Sequence, residues 1–402
     1  MTVFFIATLV ISSVFVNAES EERINNADEK NNVIFNQTDN AISVTIPVGD
    51  YEITNNGQET EIFLDGFGKS LIAGTPSLPS RIFAIAIPPG ANVLDVTFDA
   101  GQGIIIPEIS YIQPVPLPRV LGEENLQLSE RQQKEYVENF NLVYSRNDPY
   151  PKSIGEFVRT AGYRKYNLVD VRITPFTYQP LSGEVVYYPE ITVDIKYTIP
   201  ENGIELMDDA LRATEKIAEE IIINYDQTKK WYPQNTIAGN GLHDYVIITL
   251  DSLTSSVTPL VEWETAKGRN VEVMTTSWIN SNCAGYDLAE KMRNFLREKL
   301  PSGEWGIENV LLVGDYDDVP MRRCWQDLGY GKPETDYYYA ELSLPDSQSW
   351  DADGDHRYGE NSDPIDFYTE INVGRIPWSN PSTVQHICEK SALYEQKNNP
   401  SF

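Results

Sequence analysis

Cysteine and histidine are scarce in this 402-residue chain, at three residues each. The thiols Cys283, Cys324 and Cys388 are too few to staple a disulfide scaffold; one bridge at most forms, with one thiol left over. Net positive charge is lacking too: Lys and Arg number 31 against 60 Asp and Glu, for a net charge of −29. That balance excludes nucleic acid and anionic membrane surfaces as partners. Long apolar runs are confined to Thr2–Val16, which is too short for a comfortable membrane span, and no second run follows. Val16-Asn17-Ala18 then places small residues where a secretory cleavage site needs them, although no lysine or arginine precedes the run. The expectation is a signal peptide over 1–18, a polar Asn-rich tail over 19–40, and a secreted, extracellular protein.

Hydrophobic residues at 41% and 23 tyrosines are the composition of a folded protein, not of an acidic disordered tail. The length predicts two or three domains. Residues 41–227 read as β-rich: Ile42–Val48, Glu61–Leu64, Ile82–Ile87, Val93–Phe98 and Ile191–Tyr197 are short runs between Gly and Pro punctuation, and Ser182-Gly183 is a hairpin turn. Such spacing predicts an antiparallel β-sandwich. Glu123–Tyr144 is its one long helical interruption. Turn chemistry over 228–243 reads as a linker, with Lys229-Lys230 within reach of a protease. Residues 244–402 alternate differently: strands at 245–250, 271–274 and 310–313 are separated by helices at 258–267 and 288–300. Continuous apolar strands in that order predict a parallel sheet covered on both faces.

Asp351, Asp353 and Asp355 alternate within Trp350–Glu360, with Gly354 and Gly359 as turn residues and Glu360 as a later carboxylate. Between Glu334 and Glu370 eleven acidic residues face one arginine, Arg357, so the region repels itself unless a cation neutralises it. Hard oxygen ligands on a flexible loop suit structural calcium. The match to an EF-hand loop is partial, because His356 stands where that loop has glycine and Ser362 where it has glutamate. A solvated acidic turn is the alternative. Asp315, Asp317 and Asp318 follow the third strand at the sheet's carboxyl edge and read as turn caps. His386 and Cys388 are two apart on a helix, so their side chains diverge, and no other thiol has a histidine beside it in sequence.

Gly74-Thr75-Pro76-Ser77-Leu78-Pro79, followed by Phe83–Ala91, resembles the opening of the propeptide domain of the gingipain-like cysteine peptidases. Leu311–Asp315, Asp318-Val319-Pro320, Thr335–Ala340, the 351–360 loop, Val373–Pro377 and Lys390 with Tyr394-Glu395 then occur in the order of the family's peptidase domain. The resemblance implies a multi-domain chain: an N-terminal antiparallel β-sandwich prodomain, then an incomplete caspase-like α/β parallel-sheet domain. It implies a secreted cysteine endopeptidase precursor with protein or peptide substrates and an intramolecular prodomain–peptidase contact that keeps it latent. The family's catalytic histidine, in a Gly-His-Gly motif, and its strand-end cysteine lie downstream of the Tyr394-Glu395 helix. No Gly-His-Gly occurs here, so no catalytic residue carries over and the 402-residue chain is expected to be inactive alone. The other reading is a non-catalytic, calcium-binding surface module on the same scaffold.

Overall fold

The computed structural model describes residues 33–55, 59–107, 109, 111–117, 126–200, 212–232, 242–325, 332–343 and 350–398. The leader expected over 1–18 lies outside them. Alternation organises the N-terminal half: Ile42, Val44 and Ile46 of Ala41–Pro47 and Ile191, Val193, Ile195 and Tyr197 of Glu190–Thr198 are buried. These strands pair antiparallel, and Ile34–Gln37 and Asn92–Asp99 complete a four-stranded sheet. Gly68–Lys69, Pro79–Ala86, Tyr166–Ile173 and Gly155–Tyr163 form a second. Val44 and Ile195 of the first sheet share one core with Ile85 and Val171 of the second, the arrangement of a sandwich. The Ser182-Gly183 turn joins Phe176–Gln179 to Glu184–Tyr187, with Gly183 at φ +71°, where glycine is favoured.

Two expected boundaries move. Ile34–Gln37, placed by sequence in a polar tail, is an edge strand; only Phe35 of its four residues turns partly inward, so no apolar alternation advertised it. The expected linker over 228–243 begins late, because Tyr225–Thr228 and Lys229–Trp231 are helical turns. Tyr232 is buried and donates its hydroxyl to the Ile87 carbonyl at 2.5 Å. Asn224 imitates a strand: its side chain accepts from the Ala86 N–H at 2.8 Å and donates to the Ala86 carbonyl at 2.9 Å. On the Arg212–Ile221 helix, Glu215 pairs with buried Lys165 and accepts from the hydroxyls of Tyr166 and Tyr225. Residues 212–232 are therefore part of the first domain, with Lys230 exposed on its surface.

In the C-terminal half, Val271–Thr275, Tyr245–Thr249, Asn309–Val313 and Asn372–Ile376 form a parallel sheet in that spatial order. One face, with Val246, Ile248, Val310 and Leu312, packs on Met292, Phe295 and Leu296 of the Leu288–Lys299 helix. The other, with Ile247, Leu311 and Val313, packs on Leu260 of Thr258–Ala266 and Val384 and Cys388 of Pro381–Asn398. Both faces are covered, which is why the strands read as unbroken apolar runs. Among the described residues no helix is long and apolar enough to cross a membrane. The two halves meet where Arg164, at the turn of the Gly155–Tyr163/Tyr166–Ile173 hairpin, donates to the carbonyls of Leu300, Ile307 and Glu370 at 3.0–3.3 Å.

Candidate functional site

The acidic loop is framed by buried aromatics. Trp350 enters it 5% exposed and donates its indole N–H to Glu341 at 2.6 Å; Tyr358 leaves it 4% exposed, and the Gly359 N–H returns to the Trp350 carbonyl at 2.9 Å. Between them Gly354 at φ +74° and His356 at φ +63° reverse the chain. Carboxylate oxygens of Asp351, Asp353 and Asp355 lie within 4.8 Å of one another. Each also accepts a loop N–H: His356 to Asp351 at 3.2 Å, Asp355 to Asp353 at 3.3 Å and Arg357 to Asp355 at 2.8 Å. Three carboxylates aimed at one point fit a hard divalent cation. Glu360 is not in that group; its carboxylate faces Arg357 Nη1 at 3.9 Å. Desolvation and the charges of Asp355, Asp353 and Asp363 push its carboxyl up.

Sequence reasoning passed over Asp363, which closes the loop by accepting from the N–H groups of Ala352 at 3.0 Å and Glu360 at 2.9 Å. The signal was available in Asp363-Pro364, a turn-forming pair. His356 stacks on Tyr286 at 4.0 Å with rings 11° apart, fastening the loop to the segment before the Leu288–Lys299 helix. Arg322 lies over the rings of Tyr358 at 3.8 Å and Tyr338 at 4.5 Å and forms a two-pronged pair with Asp287 at 2.8 Å. Burial opposes the Asp287 charge, but Arg322 and the Glu290 amide bring the carboxyl below its usual range.

Burial holds the three thiols toward their neutral form. All three cysteines are free, so the single allowed bridge is absent. Burial pushes Cys283 and Cys324 above the usual thiol range and Cys388 up to about 11. None is hydrogen-bonded to a histidine among the described residues. His386 is exposed while Cys388 is buried, the expected divergence on one helix. His243 sits at a strand entrance, 3.5 Å from Glu272.

At the sheet's carboxyl edge, Asp315 accepts from the N–H groups of Asp317 at 3.1 Å and Asp318 at 3.2 Å, the turn cap expected of it. Arg375 reaches Asp336 with two bonds, at 2.6 and 2.7 Å, and the carbonyls of Gly314 and Val319 at 2.9 Å. Four separated sequence motifs thus become one scaffold.

Residues 63–232 match the family Propeptide_C25, and residues 240–402 match Peptidase family C25. Gingipain R2 of Porphyromonas gingivalis is 24% identical over 180 residues, covering 43% of this chain and 23% of that protein. Gingipain R1 of the same organism is 23% identical over 210 residues, covering 51% of this chain and 20% of that protein. The match therefore spans under a quarter of these relatives' length. A solved complex of Porphyromonas gingivalis RgpB pro- and mature domains aligns with 18% identity and a TM-score of 0.35, covering 49% of this chain and 97% of that one. With a propeptide match followed in order by a peptidase match, the chain belongs to the gingipain-like family of cysteine peptidases.

Proposed function

We propose that this chain is the leader, propeptide and opening peptidase segment of a secreted gingipain-like cysteine endopeptidase precursor. The observation that carries the reading is the order of the two family matches, which abut across residues 233–239. In this reading a thiolate attacks the peptide carbonyl and a histidine moves the proton, and both groups come from residues outside this sequence. The raised thiols and the absence of a thiol–histidine bond among the described residues support that assignment. The Asn372–Ile376 strand is the outer strand of the sheet among the described residues, so a further strand of a caspase-like domain can pair with it. The first domain, docked through Arg164, acts as the latency element.

The test compares the 402-residue chain with the product of the complete reading frame, using a thiol-directed peptide probe. Labelling of the longer product alone is expected. Labelling of the short chain that disappears in Cys324→Ala would overturn the assignment of the nucleophile, and no labelling of either would leave the non-catalytic module.

The convergence of Asp351, Asp353 and Asp355 favours a second reading. We propose that these aspartates hold a structural calcium ion, with a backbone carbonyl in its shell and with Glu360, which faces Arg357, joining it only if its side chain turns inward.

A further inference from the structure

The seam between the two domains is gripped from a single turn. Tyr163 stands opposite Tyr166 in the pairing of Gly155–Tyr163 with Tyr166–Ile173, so Arg164 and Lys165 alone make the reversal. They point opposite ways. Buried Lys165 pairs with Glu215 of its own domain, and Glu215 also accepts the hydroxyls of Tyr166 at 2.7 Å and Tyr225 at 2.6 Å, which fixes the turn from behind. Arg164 reaches across: Nη1 donates to the carbonyls of Ile307 at 3.3 Å and Glu370 at 3.0 Å, and Nη2 to that of Leu300 at 3.2 Å. Beside it, Gly162 donates its N–H to Asp366 Oδ2 at 2.7 Å and Tyr368 its hydroxyl to Asp170 Oδ1 at 2.9 Å. Three non-glycine residues among those described have positive φ, and two of them lie on opposite sides of this seam, Arg164 at +49° and Phe367 at +61°. The Arg159 guanidinium covers the Phe367 ring at 5.4 Å. Left-handed backbone is unfavourable for a residue with a Cβ and persists where the surroundings over-determine it, as they do at binding contacts.

The three carbonyls belong to buried residues on segments far apart in sequence. Leu300 closes the Leu288–Lys299 helix, Ile307 precedes Asn309–Val313, and Glu370 precedes Asn372–Ile376. A cation suits the helix end because the dipole is negative there. The planar guanidinium spreads its donors over separate nitrogens, which a compact ammonium on a shorter stem cannot do. All three segments meet at the amino edge of the parallel sheet. Its strands are five residues long, so the carboxyl edge, where open α/β sheets place their sites, is about 16 Å away. There the loops bond to one another: Asp251 accepts the Ser277 hydroxyl at 2.5 Å, and Asp315 donates its N–H to Ser379 Oγ at 3.0 Å. Tyr316 and Trp378 stand exposed on that edge.

We propose that the amino edge of the peptidase sheet is a guanidinium receptor, and that Arg164 of the propeptide fills it as a brace. From the end of the sheet remote from the carboxyl edge, it ties one helix end to two strand entrances. The propeptide thereby supplies part of the peptidase domain's own scaffold. The partner this surface fits is an arginine carried on a two-residue hairpin turn, with a flanking backbone N–H for Asp366. Removing the arginine takes a charged donor from three carbonyls at once, and water reaches those carbonyls only by opening the edge. Lysine keeps the charge and loses the fork. Latency exerted through this brace puts no hairpin residue at the carboxyl edge; it acts through how firmly the strand entrances are held.

The brace presupposes the propeptide–peptidase reading, but its test reads the seam and not peptidase activity, so the two can fail separately. Hydrogen exchange is followed on the whole 402-residue chain, comparing wild type with Arg164→Ala and Arg164→Lys. The amides of Glu308, Asn309, Glu370 and Asn372 all donate to main-chain carbonyls at the amino edge. In Arg164→Ala they are expected to exchange about tenfold faster or more, the size of a lost hydrogen bond to a charged group. Arg164→Lys is expected to come close to the alanine variant. Gly314 and Val319, whose amides are bonded at the carboxyl edge, and the Glu190–Thr198 strand of the propeptide are expected to stay as protected as in wild type. Should the alanine variant not fold, the lysine variant carries the same comparison. Wild-type protection of the amino edge in either variant would overturn the guanidinium brace. Equal loosening of Gly314 and Val319 would overturn its confinement to the amino edge.

Discussion

Two groups of carboxylates lie close in sequence and solve like-charge repulsion in different ways. Asp351, Asp353 and Asp355 lie at the surface, Asp353 and Asp355 exposed, with oxygens converging on a point open to a cation from solvent. Asp366 and Glu370 are sealed beneath the propeptide hairpin, where no hydrated ion enters and Arg293 and Arg159 are already engaged with other acids. Coulomb repulsion is present in both; access to water decides whether a cation from solvent can approach or burial instead holds the carboxyls toward their neutral form. Asp315 shows a third solution, since the peptide N–H groups of its own turn satisfy it.

The comparison can be broken most forcefully at Arg293. Replacing it by alanine removes the guanidinium paired with buried Glu341, and urea unfolding is expected to show a loss of about 3–5 kcal/mol. A loss below about 1 kcal/mol would mean that Glu341 needs no cation. At the surface, calcium at a hundredfold excess over its Kd is expected to add about 2.7 kcal/mol, seen as a rise in Tm that Asp353→Ala abolishes. Equal melting temperatures with and without calcium would remove the metal reading. In the seam, Tyr368→Phe deletes the phenol bond to buried Asp170, and chemical unfolding should register about 2 kcal/mol for a hydrogen bond to a charged group. An unchanged midpoint would show Arg159 alone to suffice. Asp315→Ala should have the smallest effect, about 1 kcal/mol by the same measurement, because exposed turn N–H groups turn to water when their cap is lost.

Three strands of the parallel sheet, at 245–249, 271–275 and 309–313, were legible as short apolar runs between helices, whereas Asn372–Ile376 was not, since Asn372, Gly374 and Arg375 interrupt it, and the spatial order, with the first strand between the second and third, had to come from the pairing itself. The alternating strands at 41–47 and 190–198 were equally plain. Ile34–Gln37 was not, since an edge strand with one half-buried aromatic leaves no period to detect. In the candidate metal loop the aspartates were visible as a pattern. The closure by Asp363 was missed because it depends on loop ends folding back. Arg375 and Asp336 were each visible within a motif, but their pairing across the sheet edge was not.

Local sequence determined which segments became strands and helices, where the turns fell and where acid would accumulate, because these depend on neighbours a few residues away. Tertiary structure decided which acids are buried and what they bond. Gly162 and Asp366, 204 residues apart in sequence, meet only across the contact between the two domains, and burial there pushes up a carboxyl whose own sequence neighbours say nothing about it.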